Sequence, residues 1–264
     1  MKSKLNFFLV VSSVIILTSF DCYETTNKFT KRFLHWEELE PENSLTELNE
    51  KDLSEIWLAT ENTDVLGIYG ESQSRVRLKF IAITKDTSEV QKYMVTGKYL
   101  LKDSIYSFTG FLNIVCYKKF RKMQSGVDNV HESLKMQQQG AIEGSYNFIV
   151  HDQSILKGAF YSKLCLDSIG IINYDNIQLP SDNFMNNSFI GKRYIGSEKI
   201  VMNWGDYRVP NCSDDLDMGA GMFSPSDSYV NSDSLYRHSW NNYRKAYFEN
   251  NRAAQQIEMA NWWK

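Results

Sequence analysis

From Arg75 onward the chain alternates. Val76, Leu78, Phe80 and Ala82 fall on one side, and Arg75, Arg77 and Lys79 on the other, which is the period of two that marks a half-buried strand. The alternation returns in Tyr93, Val95, Tyr99 and Leu101. It returns again in Tyr106, Phe108, Leu112, Ile114 and Cys116, with Lys102-Asp103-Ser104 as the turn between the two strands and Cys116 as a core thiol. Another strand pair is predicted from Tyr146, Phe148 and Val150 and from Leu156 to Leu166, joined at His151-Asp152-Gln153-Ser154. Further strands are predicted around Ile169 to Ile177, Phe189 to Ile195 and Ile200 to Val209. Met123 to Gly140 is polar and glutamine-rich and reads as a long loop.

Eight or more strands in sequence order form a meander, and such a sheet must close or be covered to remove its edges. The predicted fold is therefore mainly β, an antiparallel meander closing into a barrel or a curled sandwich. Gly97 and Gly110 in one hairpin, and Gly144 and Gly158 in the next, let the backbone bend or approach closely, as barrel corners require. The period then changes. Tyr236, Trp240, Tyr243, Tyr247, Ala254 and Ile257 recur at helical spacings, with Ser232 or Asp233 as a cap, so Asp233 to Trp263 reads as one or two amphipathic helices packed on the sheet. Arg237, Arg244, Lys245 and Arg252 make their outer face basic.

Composition agrees with this class. Aromatic residues make up 14% of the 264 residues, and flat rings pack well on a pleated surface. A net charge of -3 gives no general attraction to nucleic acid. That total conceals an asymmetry: residues 36–72 carry a net -10 and residues 73–122 a net +8. Two readings follow. The preferred one is that the acidic stretch lies near the basic strands or that both are simply solvated faces; the other is that Arg75, Arg77 and Lys79 form one face for an anionic partner.

Lys2 and Lys4 followed by the apolar run from Leu5 to Phe20 match a signal peptide, and sixteen residues at ~1.5 Å each fall short of the ~30 Å bilayer core. The protein is expected to be exported: periplasmic, outer-membrane-anchored or extracellular. Cys22 stands where a lipoprotein carries its acylated cysteine, although Phe20 and Asp21 precede it where small residues are preferred. Lipid anchoring at Cys22 and an ordinary cleaved signal both stay open, and such an anchor is the one membrane attachment expected. The chain divides into a signal at 1–22, an acidic segment at 23–72, an antiparallel β domain at 73–210, and a loop with a helical segment at 211–264. Cys116, Cys165 and Cys212 allow one disulfide but no scaffold. Neither the cysteines nor the histidines have zinc-ligand spacing, and no metal or cofactor is predicted.

Candidate chemistry is sparse. Glu143, His151 and Asp152 share a hairpin and could make an oriented base, but the last two are ordinary turn residues. No P-loop, GxSxG, HExxH or dinucleotide fingerprint is present. The least generic stretch is Asn203-Trp204-Gly205-Asp206-Tyr207-Arg208-Val209-Pro210 and the following Asp214 to Pro225. Trp204, Asp206, Tyr207, Arg208 and Asp217 are the candidate ligand-binding residues, offering stacking, hydrogen bonds and charge. Asp214, Asp215 and Asp217 supply hard oxygens for calcium, but not at EF-hand spacing. The structural reading is an ordered loop in which Asp206 or Asp217 pairs with Arg208.

At NWGDYRVP, DLDMGAGMFSP and SWNNYRKAYFENNRAAQQIEMANWWK the chain resembles an uncharacterised family of exported bacterial proteins, a resemblance that implies export but no activity. The GSYNF…LKGAF hairpin is similar to those of small calycin-type barrels and transfers no ligand pocket. The sequence therefore favours a non-enzymatic exported β protein that binds a small molecule, glycan or protein. The alternatives are a hydrolase with its site near Asp206, Arg208 and Asp217, and a purely structural envelope protein.

Overall fold

The computed structural model describes residues 39–126, 135–182, 184–217, 219, 221–231 and 237–264. The predicted signal, Cys22, Tyr236 and the proposed caps Ser232 and Asp233 lie outside the described residues. Nine strands are present among the described residues: β1 Val65–Tyr69, β2 Ser74–Lys85, β3 Lys92–Leu101, β4 Ser104–Lys119, β5 Met136–Val150, β6 Ile155–Asp167, β7 Ile172–Tyr174, β8 Asn186–Ile195 and β9 Glu198–Asp206. Their order is β5-β4-β3-β2-β1-β9-β8-β6-β7, and β5 also pairs with β6. Eight strands thus close into an antiparallel ring, while the short β7 continues the β8 side of β6 at Leu164 to Leu166. The fold is mainly β, and the barrel alternative holds.

The barrel takes its first strand from inside the acidic segment. Val65–Tyr69 is too short for alternation to announce it, yet β1 joins β2 to β9 and completes the ring. Met136 to Gly140, read as loop, is the first third of β5 and pairs with β6 and β4. Only Ile172–Tyr174 of the segment from Ile169 to Ile177 is strand.

Two β-bulges correct the predicted facing. The register of β2 against β3 shifts between Phe80 and Ala82, so Phe80 and Ile83 are buried and Ala82 is exposed. The register of β4 against β5 shifts between Ile114 and Cys116, which carries Tyr117 inward and leaves Cys116 half-buried. An extra residue at a bulge reverses the side of every residue after it. Cys116, Cys165 and Cys212 are free thiols, and Cys165, not Cys116, is the buried one.

Aromatic rings fill the ring of strands. Phe189 stacks on Trp204 with centroids 4.7 Å apart, Phe108 stacks on Phe148 at 4.8 Å, and Phe80 meets Phe108, Phe148 and Phe189 edge-on. Glycine makes room for them: a Cβ at Gly97 would lie 2.3 Å from the Phe108 ring.

Both ends are closed. At one end the short helix α1, Ser54–Leu58, inserts Trp57 against Tyr93 and Phe160, and its Nε1 donates to Ser162 Oγ at 3.0 Å. At the other end the Arg193 guanidinium lies over Tyr106 at 4.8 Å and binds Asp152 and Ser154 in the β5–β6 turn.

The chain after β9 wraps the outside of β1 and β2. Helices α2 Asp227–Val230, α3 Asn241–Tyr247 and α4 Arg252–Met259 follow the loop after β9. Val209, Leu216, Phe223, Tyr229, Val230, Trp240 and Tyr243 bury Leu66 and Ile68 of β1. Arg75 and Arg77, expected on a solvated face, are buried under α4. Arg75 pairs with Glu258, and Arg77 donates to the carbonyls of Ile257 and Glu258 and lies over Trp262. The acidic segment reaches the basic strands elsewhere, through Glu47 and Lys119 at 2.6 Å. Of the expected aromatic stripe, Trp240 and Tyr243 are buried, whereas Tyr247 and Ile257 are exposed.

Candidate functional site

Asp206 ends β9 at the α1 end of the barrel, and its carboxylate is buried. Three donors converge on its Oδ2: Thr60 Oγ1 at 2.7 Å, Asn187 Nδ2 at 2.7 Å and Tyr174 OH at 3.0 Å. They come from the segment after α1, from the start of β8 and from β7. Asn187 also donates to the Ile56 carbonyl at 2.8 Å, so the plug helix and the acid share one anchor. Burial pushes the Asp206 carboxyl up to about 7, although the three bonds pull the other way. Burial and the adjacent Asp206 also raise Tyr174.

Thr60, Asn187, Trp204 and Asp206 border a cavity of about 20 Å³, which is room for about one water. Two polar atoms of these lining residues, Trp204 Nε1 and Asn187 Oδ1, have no hydrogen-bond partner in the protein.

Of the other candidates, Trp204 shares the cavity wall with Asp206 and is otherwise part of the packed interior; the rest go elsewhere. Tyr207 takes a left-handed φ of 65°, donates its backbone N–H to the Asp64 carbonyl at 2.7 Å, and sets its ring edge-on to Phe184 at 5.3 Å. Arg208 turns away from Asp206 and binds both carboxylate oxygens of Asp217 at 2.7 and 2.6 Å, and the Gly221 carbonyl. Asp217 and Arg208 are both buried at the side chain, so this pair ties the loop after β9 together. Glu143 lies eight positions before His151 on β5 and pairs across to Cys116 and Tyr161, while His151 Nδ1 accepts from the Ser107 N–H at 3.2 Å. Glu143, His151 and Asp152 form no common site. No cluster of three or more metal-ligating side chains exists among the described residues.

Sequence reasoning found Asp206 and missed all three of its donors. Thr60 is 146 positions away, Tyr174 is 32 and Asn187 is 19. None of the three carries a local sequence signal; Asn187 is set apart only in the fold, by a left-handed φ of 42°, a conformation asparagine tolerates.

No family model, curated protein or solved structure matches the chain.

Proposed function

We propose that this is an exported, non-enzymatic β-barrel module that meets a glycan, protein or other envelope component with its outer surface. One observation carries the reading: the interior is packed with rings and plugged at both ends, and the Asp206 cavity is about 20 Å³, against the several hundred Å³ of a small-molecule site. Lys2, Lys4 and the apolar run to Phe20 support export.

A hydrolase centred on Asp206 has one feature in its favour, a carboxyl raised to about 7, since such shifts concentrate at reactive sites. The bonding favours structure instead. Three side chains of the fold converge on the Asp206 Oδ2, and Arg208 is spent on Asp217 rather than aimed at Asp206.

Two measurements test the reading. Mass spectrometry of fractionated cells should find a chain that begins near Cys22 in the exported fraction, and an intact Met1 in the cytosol would overturn export. Assay of the purified protein on chromogenic esters, phosphates and glycosides should show no turnover. Turnover abolished by Asp206→Asn in a chain that still folds would replace the binding module with an enzyme.

A further inference from the structure

The outer wall of the barrel away from the C-terminal wrap carries two adjacent cross-strand rows. One runs Phe111, Asn147, Lys157, Lys192, Val201, and its neighbour runs Thr109, Ile149, Ile155, Tyr194, Lys199. The rows hold three lysines and no carboxylate in a chain whose net charge is -3. Lys157 and Lys192 stand directly opposite each other on β6 and β8, where like charges destabilise a sheet. Lys157 Nζ lies 4.8 Å from the Tyr194 ring centroid, and Lys199 Nζ lies 5.9 Å from it. Two ammonium groups therefore flank one ring, and the third lysine, Lys192, stands across from Lys157. Glu198, the acid nearest in sequence, takes the opposite parity on β9 and acts on Tyr69 at the barrel's end. Beside the lysines, Ile149 is 56% exposed and Ile155 39% exposed, paired across β5 and β6.

We infer that this wall, centred on β5, β6 and β8, docks on the surface of an anionic phospholipid bilayer. Phosphate headgroups relieve the repulsion between Lys157 and Lys192, while the two isoleucines enter the apolar boundary beneath the headgroups, a division of labour that long cationic side chains and neighbouring apolar residues perform at membrane interfaces. A protein partner fits less well because interfaces between proteins are depleted in lysine. An acidic polysaccharide satisfies the lysines but offers nothing to Ile149 and Ile155. The inference rests on the binding-module reading and names its partner.

The test is co-sedimentation of the protein, as isolated from its cells, with vesicles of phosphatidylcholine alone and of phosphatidylcholine with phosphatidylglycerol, at low and high salt. Binding should require phosphatidylglycerol and fall steeply with salt. Each lysine replaced by Gln should lower partitioning about fivefold, and K157Q/K192Q/K199Q about 100-fold. The melting temperature should stay level or rise, because the substitutions remove repulsion. Ile149→Ser with Ile155→Ser should weaken vesicle binding further and leave binding to a soluble polyanion such as alginate unchanged.

Three results would overturn the inference: equal binding to neutral vesicles, anionic vesicle binding indifferent to the lysine substitutions, or alginate binding with no binding to vesicles. The last would still leave a binding module, and its failure is separable from that of the module reading itself, which falls on enzymatic turnover.

Discussion

Arg75 on β2 and Glu258 on α4, 183 positions apart, form a two-pronged ion pair with bonds of 2.6 and 2.5 Å in a buried setting. The Arg75 guanidinium also lies over the rings of Trp240 and Tyr243, 5.3 and 5.0 Å from their centroids. A planar cation resting against two adjoining aromatic rings, with its fork satisfied by a carboxylate, fixes the C-terminal segment on the barrel wall. Asn242 adds a third donor to Glu258 at 2.7 Å, and Trp262 Nε1 reaches Asn62 Oδ1 at 3.0 Å, so the last turn of chain is held at several points.

Breaking that pair from one side leaves a buried charge. Glu258→Gln should cost about 3 to 5 kcal/mol in urea unfolding, whereas the double change Arg75→Met with Glu258→Met should recover much of the loss. A cost below about 1 kcal/mol for Glu258→Gln would show that α4 is not needed to hold the wall. Acid acts on the same pair. Burial alone raises the Glu258 carboxyl, but the Arg75 bonds and charge outweigh it and hold the pKa below 4.5. Its stabilisation is therefore complete above about 4.5 and is lost as the pH falls through the lower folded value.

Asp206 has the opposite sign. Its carboxyl is raised from 3.8 to about 7 in the fold, so the native state holds that proton more tightly than the unfolded chain does. Stability of the wild type should fall, relative to Asp206→Asn, as the pH rises from about 4 to about 7. Thermal melts of both proteins across that interval check it, and parallel curves would refute the buried, proton-holding role.

Trp204 lies in the middle of the stacked rings at 1% exposure. Trp204→Ala should cost roughly 3 to 5 kcal/mol, the range for truncating a large core aromatic, and Trp204→Phe distinctly less because the stack on Phe189 survives. Denaturation midpoints separate the two. If Trp204→Ala unfolds within about 1 kcal/mol of wild type, the interior is not close-packed.

Gly158 on β6 tests the closeness of the strands. A Cβ there would lie 1.9 Å from the Ile190 carbonyl oxygen and 2.6 Å from Gly191 Cα, both backbone atoms that cannot swing aside. Gly158→Ala should destabilise by at least the ~1 to 3 kcal/mol of ordinary overpacking, and the same change at the exposed turn residue Gly196, where nothing lies within 4 Å of the added Cβ and the cost is that of a left-handed φ of 58°, about 1 to 2 kcal/mol, should cost less. Chemical denaturation of the two variants decides, and equal costs would show that the β6–β8 approach is looser than described.

Most strands and the class of fold were legible in the residue pattern, because alternation is a property of neighbouring residues on a pleated backbone: β2, β3, β4, β6, β8 and β9 lie where Val76, Tyr93, Phe108, Leu156, Phe189 and Ile200 mark them. It also marked the stretch from Trp204 to Asp217 as unusual and the C-terminus as helical. Only the tertiary structure decided which way Ala82 and Cys116 face, since a bulge shows in pairing and not in composition. It decided that Arg75 and Arg77 lie beneath α4, because alternation separates a strand's two faces without saying what covers either. It decided that Asp206 belongs with Thr60, Tyr174 and Asn187 rather than with Arg208, because a carboxylate's partners are set by ring closure over distances that no local pattern spans. The juxtaposition of Lys157, Lys192 and Lys199 arises in the same way: each is an ordinary outward residue of its own strand, and only the register between β6, β8 and β9 makes them one surface.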